Sequence, residues 1–288
     1  MTAAGEFPQP IFVGGVGRSG THVVGRLVGA HPRYVWINTE ARFHAAPGGL
    51  PDLVAGNVSM SRFLEQVRGR WYVRGPNRRQ GLQRLVGPDE LERALAEFQS
   101  AFADDPIGAS RRLIRRLLDP AAARAGKPAW VEITGQVIER APFLLRVFPD
   151  AKFINMVRDG RAVVAGTLKK VDLTDDPMQA LAKWGQMVRA ADEAIRALPS
   201  GRVVTVLLDD LTAHDRDRTL ARLVEFLEID DPVPMREYFE REITAERAHV
   251  GAWRERMAPA DVRKVDRRYR RLARNLRRQG VDWAPVPR

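Results

Sequence analysis

The chain has 288 residues, of which 44% are hydrophobic and 29% charged, so it can bury a core and is not a disordered tail. It contains no cysteine, which excludes disulfide scaffolds, thiolate zinc sites, iron–sulfur clusters and cysteine nucleophiles. Its charged residues, 47 Lys and Arg against 36 Asp and Glu, give a net charge of +11, which favours anionic partners.

Short apolar runs alternate with amphipathic stretches along the chain, which indicates strands separated by helices. Strands are predicted at 10–16, 34–37, 129–134, 151–157 and 202–208. Helices are predicted at 20–30, 88–103, 108–118, 137–147, 160–170, 177–198, 215–227 and 259–279. This order predicts an α/β fold of three layers, a mainly parallel sheet with helices on both faces. We expect a single domain over 1–288, with a helical or loop insertion at 43–125.

No run of about 18 uncharged apolar residues occurs, so no membrane span is expected. The first ten residues lack the basic flank and apolar core of a secretory signal. The lack of a visible secretory signal and the absence of cysteine together favour a cytoplasmic setting. Arginine supplies 41 of the 47 cations, and its planar group suits phosphate and sulfate, although a general coding preference explains most positions equally well.

A glycine-rich turn joins the first strand to the first helix, over residues 14–22. Glycines let the backbone curl so that successive N–H groups face an anion near the positive end of the helix. The spacing from Gly15 to Gly20 is that of a P-loop, but Thr21 and His22 replace its usual Lys and Ser/Thr, and Arg18 supplies the charge. The predicted anion-binding residues are Gly17, Arg18, Ser19, Gly20, Thr21 and His22; the alternative is a turn that binds nothing.

A second anion determinant follows the strand at 151–157, where Arg158 stands at the strand end and Asp159 begins a helix. The carboxyl ends of parallel strands line the crevice in which open α/β sheets bind ligands. Arg158 could therefore hold a second phosphate. The alternative is an ordinary surface pair of Arg158 with Asp159.

Together, these segments resemble the sulfotransferases that use 3′-phosphoadenosine 5′-phosphosulfate (PAPS). The match comprises the G-x-x-R-S-G-T loop at 15–21, V-R-D-x-R at 157–161, and the F-P-x-A-K-F sequence at 148–153 that precedes it. The resemblance implies a P-loop-like fold in which the glycine-rich loop holds the 5′-phosphosulfate and Arg158 binds the 3′-phosphate. It also implies that the donor is released as PAP and that the reaction needs no metal. Gly166 stands where the family usually has a serine that helps to hold the 3′-phosphate, so either the adjacent Thr167 substitutes for that serine or Arg158 makes this contact with less help. Ile133 and Gly135 stand where the family often has lysine and histidine or proline.

The tyrosylprotein branch of that family carries a catalytic glutamate in an E-x-R stretch after an H-P pair, here His31-Pro32. Glu40 matches with an offset of about one residue, so we nominate it as the general base, with Arg18 stabilising the transition state. The alternative is a loop glutamate paired with Arg42. His44 is expected to line the acceptor pocket.

The resulting hypothesis is sulfuryl transfer from PAPS to a hydroxyl of a small-molecule, glycan or peptide acceptor. A P-loop kinase or NTPase is disfavoured by the missing lysine. A non-catalytic PAP- or polyanion-binding protein is the other alternative. Nucleic acid is the least favoured partner, because few aromatic residues interleave the C-terminal arginines. The sequence indicates neither the acceptor nor the oligomeric state.

Overall fold

The computed structural model describes residues 9–75, 80–168 and 174–287. One sheet of five parallel strands has the order β2-β3-β1-β4-β5, the arrangement of a P-loop-like fold. The strands are β1 Ile11–Gly15, β2 Tyr34–Trp36, β3 Ala129–Glu132, β4 Lys152–Val157 and β5 Val203–Leu207. All five coincide with predicted strands, because short apolar runs bounded by turns are typical of strands buried on both faces.

Helices cover both faces of the sheet, which confirms the predicted three layers. Along β1, Phe12 faces one buried cluster while Ile11 and Val13 face the other. The helices are α1 Thr21–Gly29, α2 Leu50–Val54, α3 Met60–Gln66, α4 Pro88–Phe102, α5 Pro106–Arg124, α6 Ala141–Val147, α7 Gly160–Thr167, α8 Pro177–Arg196, α9 Arg216–Phe226, α10 Val233–Glu242, α11 Ala245–Ala248 and α12 Pro259–Arg278. Helices α2 to α5 lie in the chain between β2 and β3.

Several helix boundaries differ from the predicted ones. The stretch predicted as a helix at 137–147 is a 3₁₀ turn over Gly135–Val137 followed by α6, because Pro142 lacks an N–H and is tolerated only in the first turn. Helix α5 continues through Pro120 to Arg124, past its predicted end. Helices α10 and α11 were not predicted. The end of the helix predicted at 160–170 lies outside the described residues.

Glycines allow β1 to pass close to its neighbours just before the loop. Gly15 has a φ of 134°, and a Cβ there would lie 2.1 Å from the carbonyl oxygen of Met156 on β4. A Cβ on Gly14 would lie 2.8 Å from the carbonyl oxygen of Gly135. Close backbone approach on both sides therefore fixes the direction in which β1 leaves the sheet.

No helix among residues 9–75, 80–168 and 174–287 is long and apolar enough to cross a membrane.

Candidate functional site

The carboxyl ends of the five parallel strands meet at one edge of the sheet, and the predicted site residues lie along it. β1 is central, so its loop opens between the ends of β3 and β4. Arg158 follows β4, and Glu40 follows β2 after three intervening residues. This edge is where open α/β sheets bind their ligands.

The loop after β1, in which the sequence predicts anion binding, curls back on itself. The amide of Ser19 donates to the carbonyl of Val16 at 3.1 Å, and Arg18 and Gly20 adopt φ angles of 70° and 97°. Helix α1 then begins with no side-chain cap and no acidic residue in its first turn, which leaves its first N–H groups available to a ligand. The Ser19 hydroxyl is buried and has no hydrogen-bond partner within the described structure.

Arg158 reaches from β4 to this loop. Its Nη1 lies 3.4 Å from the carbonyl oxygen of Arg18, and its Nη2 donates to the carbonyl of Ala248 at 2.5 Å. Its Nε is buried and has no hydrogen-bond partner in the described part of the chain. Burial holds the pKa of Arg158 below its usual value, although Asp209 opposes the shift, and Arg18 and Arg256 add to it. A bound anion would relieve this crowding of positive charge.

Gly166 and Thr167, near the end of α7, also lie by the loop. A Cβ on Gly166 would lie 3.4 Å from the Nε of Arg18, so the arginine side chain passes over the glycine. The hydroxyl of Thr167 donates to the carbonyl of Val163 at 2.9 Å. Because a hydroxyl donates only one hydrogen bond, the Thr167 hydroxyl in this orientation can only accept further hydrogen bonds.

Arg161 points inward and supports the turn that carries Arg158. Its guanidinium contacts the carboxylates of Asp159 and Asp266 and lies 4.6 Å from the Trp253 ring. Trp253 is 4% exposed and packs in the interior. The segment before α12 is thereby joined to the turn that follows β4.

Glu40 lies at the same edge and faces two arginines, Arg42 and Arg74. Its carboxylate accepts a hydrogen bond from the Nε of Arg42 at 2.7 Å and lies 3.9 Å from the Nη1 of Arg74. Burial and the neighbouring Arg42 and Arg70 lower the pKa of Arg74, while Glu40 opposes the shift. Glu40 also opposes the lowering of the His22 pKa that desolvation causes, which relates the carboxylate to the anion loop. The alternative pairing of Glu40 with Arg42 is thus present, and it leaves Glu40 27% exposed.

Glu132 and His44 form a buried pair that the sequence reasoning missed. Both side chains are 0% exposed, and the His44 Nε2 lies 3.1 Å from a carboxylate oxygen of Glu132. The expectation that His44 lines an acceptor pocket is therefore wrong, because the ring packs against Phe12 and Phe43. The available signal was the charge of Glu132 at the end of an otherwise apolar strand.

The geometry offers an anion site with two arginines and a carboxylate nearby. Within residues 9–75, 80–168 and 174–287, no three His, Asp or Glu side chains are grouped to hold a metal ion. The arginines of α12 are exposed, as in an amphipathic surface helix. A groove of about 1170 Å³ lies between α4 and α5, beside the opposite edge of the sheet, so cavity size does not mark this site.

Comparisons with known proteins agree with this geometry. A family model described as "Sulfotransferase family" matches residues 10–233. The protein-tyrosine sulfotransferase of Drosophila melanogaster is 26% identical over 225 residues, which cover 76% of this chain and 38% of that protein. Protein-tyrosine sulfotransferase A of Caenorhabditis elegans is 25% identical over 77% of this chain and 51% of its own length. The chain thus spans about half, or less, of these two relatives.

Two solved structures share the fold. The sulfotransferase domain of the Synechococcus PCC 7002 olefin synthase matches with a TM-score of 0.53 at 17% identity, over 90% of this chain and 92% of that chain. The sulfotransferase domain from the curacin biosynthetic pathway matches with a TM-score of 0.55 at 15% identity, over 88% and 93%.

Proposed function

Because the chain belongs to the sulfotransferase family, we propose that it transfers the sulfuryl group of PAPS to a hydroxyl of an acceptor. The observation that carries the proposal is the placement of Arg158 against the β1–α1 loop. The Nε of Arg158 and the hydroxyl of Ser19 are both buried there without a partner in the described residues. Buried polar groups are normally hydrogen-bonded, so these two atoms support a ligand with an anion at each position.

The residues at the strand ends fit PAPS. The loop of Gly17, Arg18, Ser19, Gly20, Thr21 and His22 would hold the 5′-phosphosulfate, and Arg158 would hold the 3′-phosphate. The Thr167 hydroxyl, next to Gly166, could donate to that phosphate only by turning its proton away from the Val163 carbonyl. When bound, PAPS supplies an activated sulfuryl group and departs as PAP. Arg18 and the first N–H groups of α1 would stabilise the negative charge that develops on the leaving phosphate.

Glu40 would accept the proton of the acceptor hydroxyl. Its carboxylate remains partly accessible and lies near the anion loop, as the electrostatic effect on His22 indicates. The Arg42 guanidinium fixes its orientation through two nitrogens on one oxygen, which leaves the other oxygen free to receive the proton.

The acceptor that fits best is a hydroxyl of a protein or peptide. The named relatives are protein-tyrosine sulfotransferases, which supports this class. Arg42 and Arg74 both face the single carboxylate of Glu40, and Arg70 adds positive charge near Arg74, so the positive charge there exceeds the negative. That excess would favour a hydroxyl flanked by acidic groups.

Thermal-shift titration with PAP and with ATP tests the proposal, because a ligand that binds only the folded state raises the melting temperature. We expect a larger shift with PAP. Arg158→Ala should weaken PAP binding about 10- to 100-fold, since a hydrogen bond to a charged group contributes about 1.5–3 kcal/mol. Affinity for adenosine 5′-phosphosulfate, which lacks the 3′-phosphate, should be unchanged.

Arg112→Ala is the matched control, because Arg112 is exposed on α5 and pairs with Asp105. It should leave both affinities unchanged. Equal shifts with PAP and ATP in the wild type would refute PAPS as the donor, and equal losses in the two arginine variants would refute the assignment of Arg158.

A further inference from the structure

The segment that carries Glu40 makes an unusual turn just after that residue. Arg42 is not glycine, yet it has a φ of 64°, in the left-handed region that side chains disfavour. The amide of Phe43 donates to the carbonyl of Ala41 at 2.8 Å, which closes a three-residue turn around Arg42. Such a conformation costs free energy and persists only where its surroundings hold it in place.

The hydrogen bonds that hold this turn come from the end of β3, about 90 residues further along the chain. The Ala41 amide donates to the Glu132 carboxylate at 3.2 Å. The Arg42 amide donates to the Thr134 hydroxyl at 3.1 Å, and that hydroxyl donates to Glu132 at 2.6 Å. His44, at the exit of the turn, contacts the second oxygen of the same carboxylate at 3.1 Å. One buried carboxylate therefore contacts both sides of the turn.

The surroundings of Glu132 favour its ionised form. Burial would raise the pKa of its carboxyl, but the electrostatic interaction with His44 and the hydrogen bonds from His44 and Thr134 hold that pKa below its usual value. The carboxylate also accepts the Thr134 amide at 2.8 Å, so four donors converge on its two oxygens. Burying a charge is costly unless it is fully paired, and here the pairing serves the turn beside Glu40.

We propose that Glu132 and Thr134 are positioning residues for sulfuryl transfer, which set Glu40 by holding the strained turn at Ala41–Arg42. The inference rests on the proposed role of Glu40. Neither residue touches the reacting groups; each acts through the backbone of the turn. Ile133 and Gly135, which replace the family's usual residues, do not affect this role, because the contacts come from the residues at 132 and 134.

The first test follows hydrogen exchange of the amides of Ala41 and Arg42, and needs no acceptor. Thr134→Val keeps the shape of the side chain but removes the hydroxyl that joins the Arg42 amide to Glu132. We expect exchange in peptides covering residues 40–46 to rise about tenfold or more, because a buried donor has lost its partner. Thr134→Ser should restore protection. Thr219→Val, at a buried threonine on α9, is the matched control and should leave the turn protected. Unchanged exchange in Thr134→Val would overturn the proposal.

The second test is a double-mutant cycle with Glu40→Gln, using labelled PAPS and a tyrosine peptide with acidic flanks. Thr134→Val should lower kcat about tenfold with PAP affinity unchanged, and should cause no further loss when Glu40 is already glutamine. Glu132→Gln should also lower kcat only while Glu40 is present, because the amide nitrogen of the new glutamine would face N–H donors instead of accepting from them. Additive losses would show that Thr134 acts only on general stability, and would overturn the proposal. Absence of transfer by the wild type would instead refute the proposed function, while the exchange result would still decide whether Thr134 holds the turn.

Discussion

Arg161→Met removes a buried cation from the support beneath Arg158 while keeping a long side chain. The Arg161 side chain is 2% exposed and contacts Asp159, which is 14% exposed, and Asp266, which is 28% exposed. Burial lowers the pKa of Arg161, but the hydrogen bonds and charges of Asp159 and Asp266 raise it above its ordinary value. The charged form is therefore strongly stabilised by its surroundings, and both carboxylates lose their common partner in the variant.

The size of the effect follows from the burial of each group. Breaking a buried ion pair costs about 3–5 kcal/mol, and the partial exposure of the two carboxylates places this case near 3 kcal/mol. The guanidinium also lies 4.6 Å from the Trp253 ring and 4.8 Å from the Tyr269 ring, and methionine loses this attraction. Each such contact contributes about 0.5–1 kcal/mol. The free energy of unfolding should fall by about 4 kcal/mol, which for a chain of this size lowers the melting temperature by about 7 °C.

Chemical and thermal unfolding of purified Arg161→Met measure this loss, and Arg270→Met provides the control. Arg270 contacts the same Asp266 carboxylate but is 46% exposed, so its loss should cost less than about 1 kcal/mol. PAP affinity should also fall in Arg161→Met alone, because Asp159 directly follows Arg158. If the two variants lost similar amounts of stability, burial would not be what makes the Arg161 contacts strong, and the reasoning would be refuted.

Three further changes have definite expected outcomes. Glu40→Gln should lower kcat about 10²- to 10⁴-fold with PAP affinity unchanged, as loss of a general base does; wild-type kcat for sulfate transfer from labelled PAPS would exclude Glu40 as the base. Gly15→Ala should prevent stable folding, since its Cβ would lie 2.1 Å from the Met156 carbonyl, whereas Gly17→Ala, with no neighbour within 4 Å, should give a normal melting curve. Burial raises the pKa of Asp209 beside Arg158, so this carboxylate begins to take up a proton at a higher pH than usual as the pH falls. Asp209→Asn should therefore bind PAP more tightly than the wild type at pH 8, and the difference in affinity should shrink toward pH 5. Titration calorimetry measures both affinities. Weaker binding by the variant at pH 8 would mean that Asp209 is needed to orient Arg158.

The sheet and the anion loop could be predicted from the sequence because their determinants are local. The apolar run before Gly14, the glycines themselves and the amphipathic helix after Gly20 form one continuous signal, and the observed strand and helix match the predicted bounds to within one residue at each end. Arg158 is a similar case, since a cation directly after a buried strand can lie only at the carboxyl edge of the sheet. That both segments come together then follows from the central position of β1 beside β4.

The interior contacts of the site could not be predicted in the same way, because their partners are far apart in the chain. Nothing near Arg161 in the sequence indicates that its side chain points inward, because this orientation depends on Asp266, 105 residues later. His44 was expected at an acceptor pocket, and its buried position depends on Glu132, 88 residues away. Periodicity indicates which residues face a core, but it does not indicate which charged residues are paired inside it.

The turn after Glu40 shows why the position of a catalytic candidate is harder to read than its identity. A left-handed residue is usually signalled by glycine, yet here the residue is Arg42, so the sequence gives no local sign of the turn. The conformation is imposed by Glu132 and Thr134 from a neighbouring strand end. Because β2 and β3 pair in parallel, their carboxyl ends are held side by side, and the rigidity of the sheet is transmitted to the segment that follows β2. In the proposed role of Glu40 as the base, a glutamate within a flexible loop would have to be ordered each time an acceptor bound. A backbone that is already fixed would lower this entropic cost of reaching the reactive geometry.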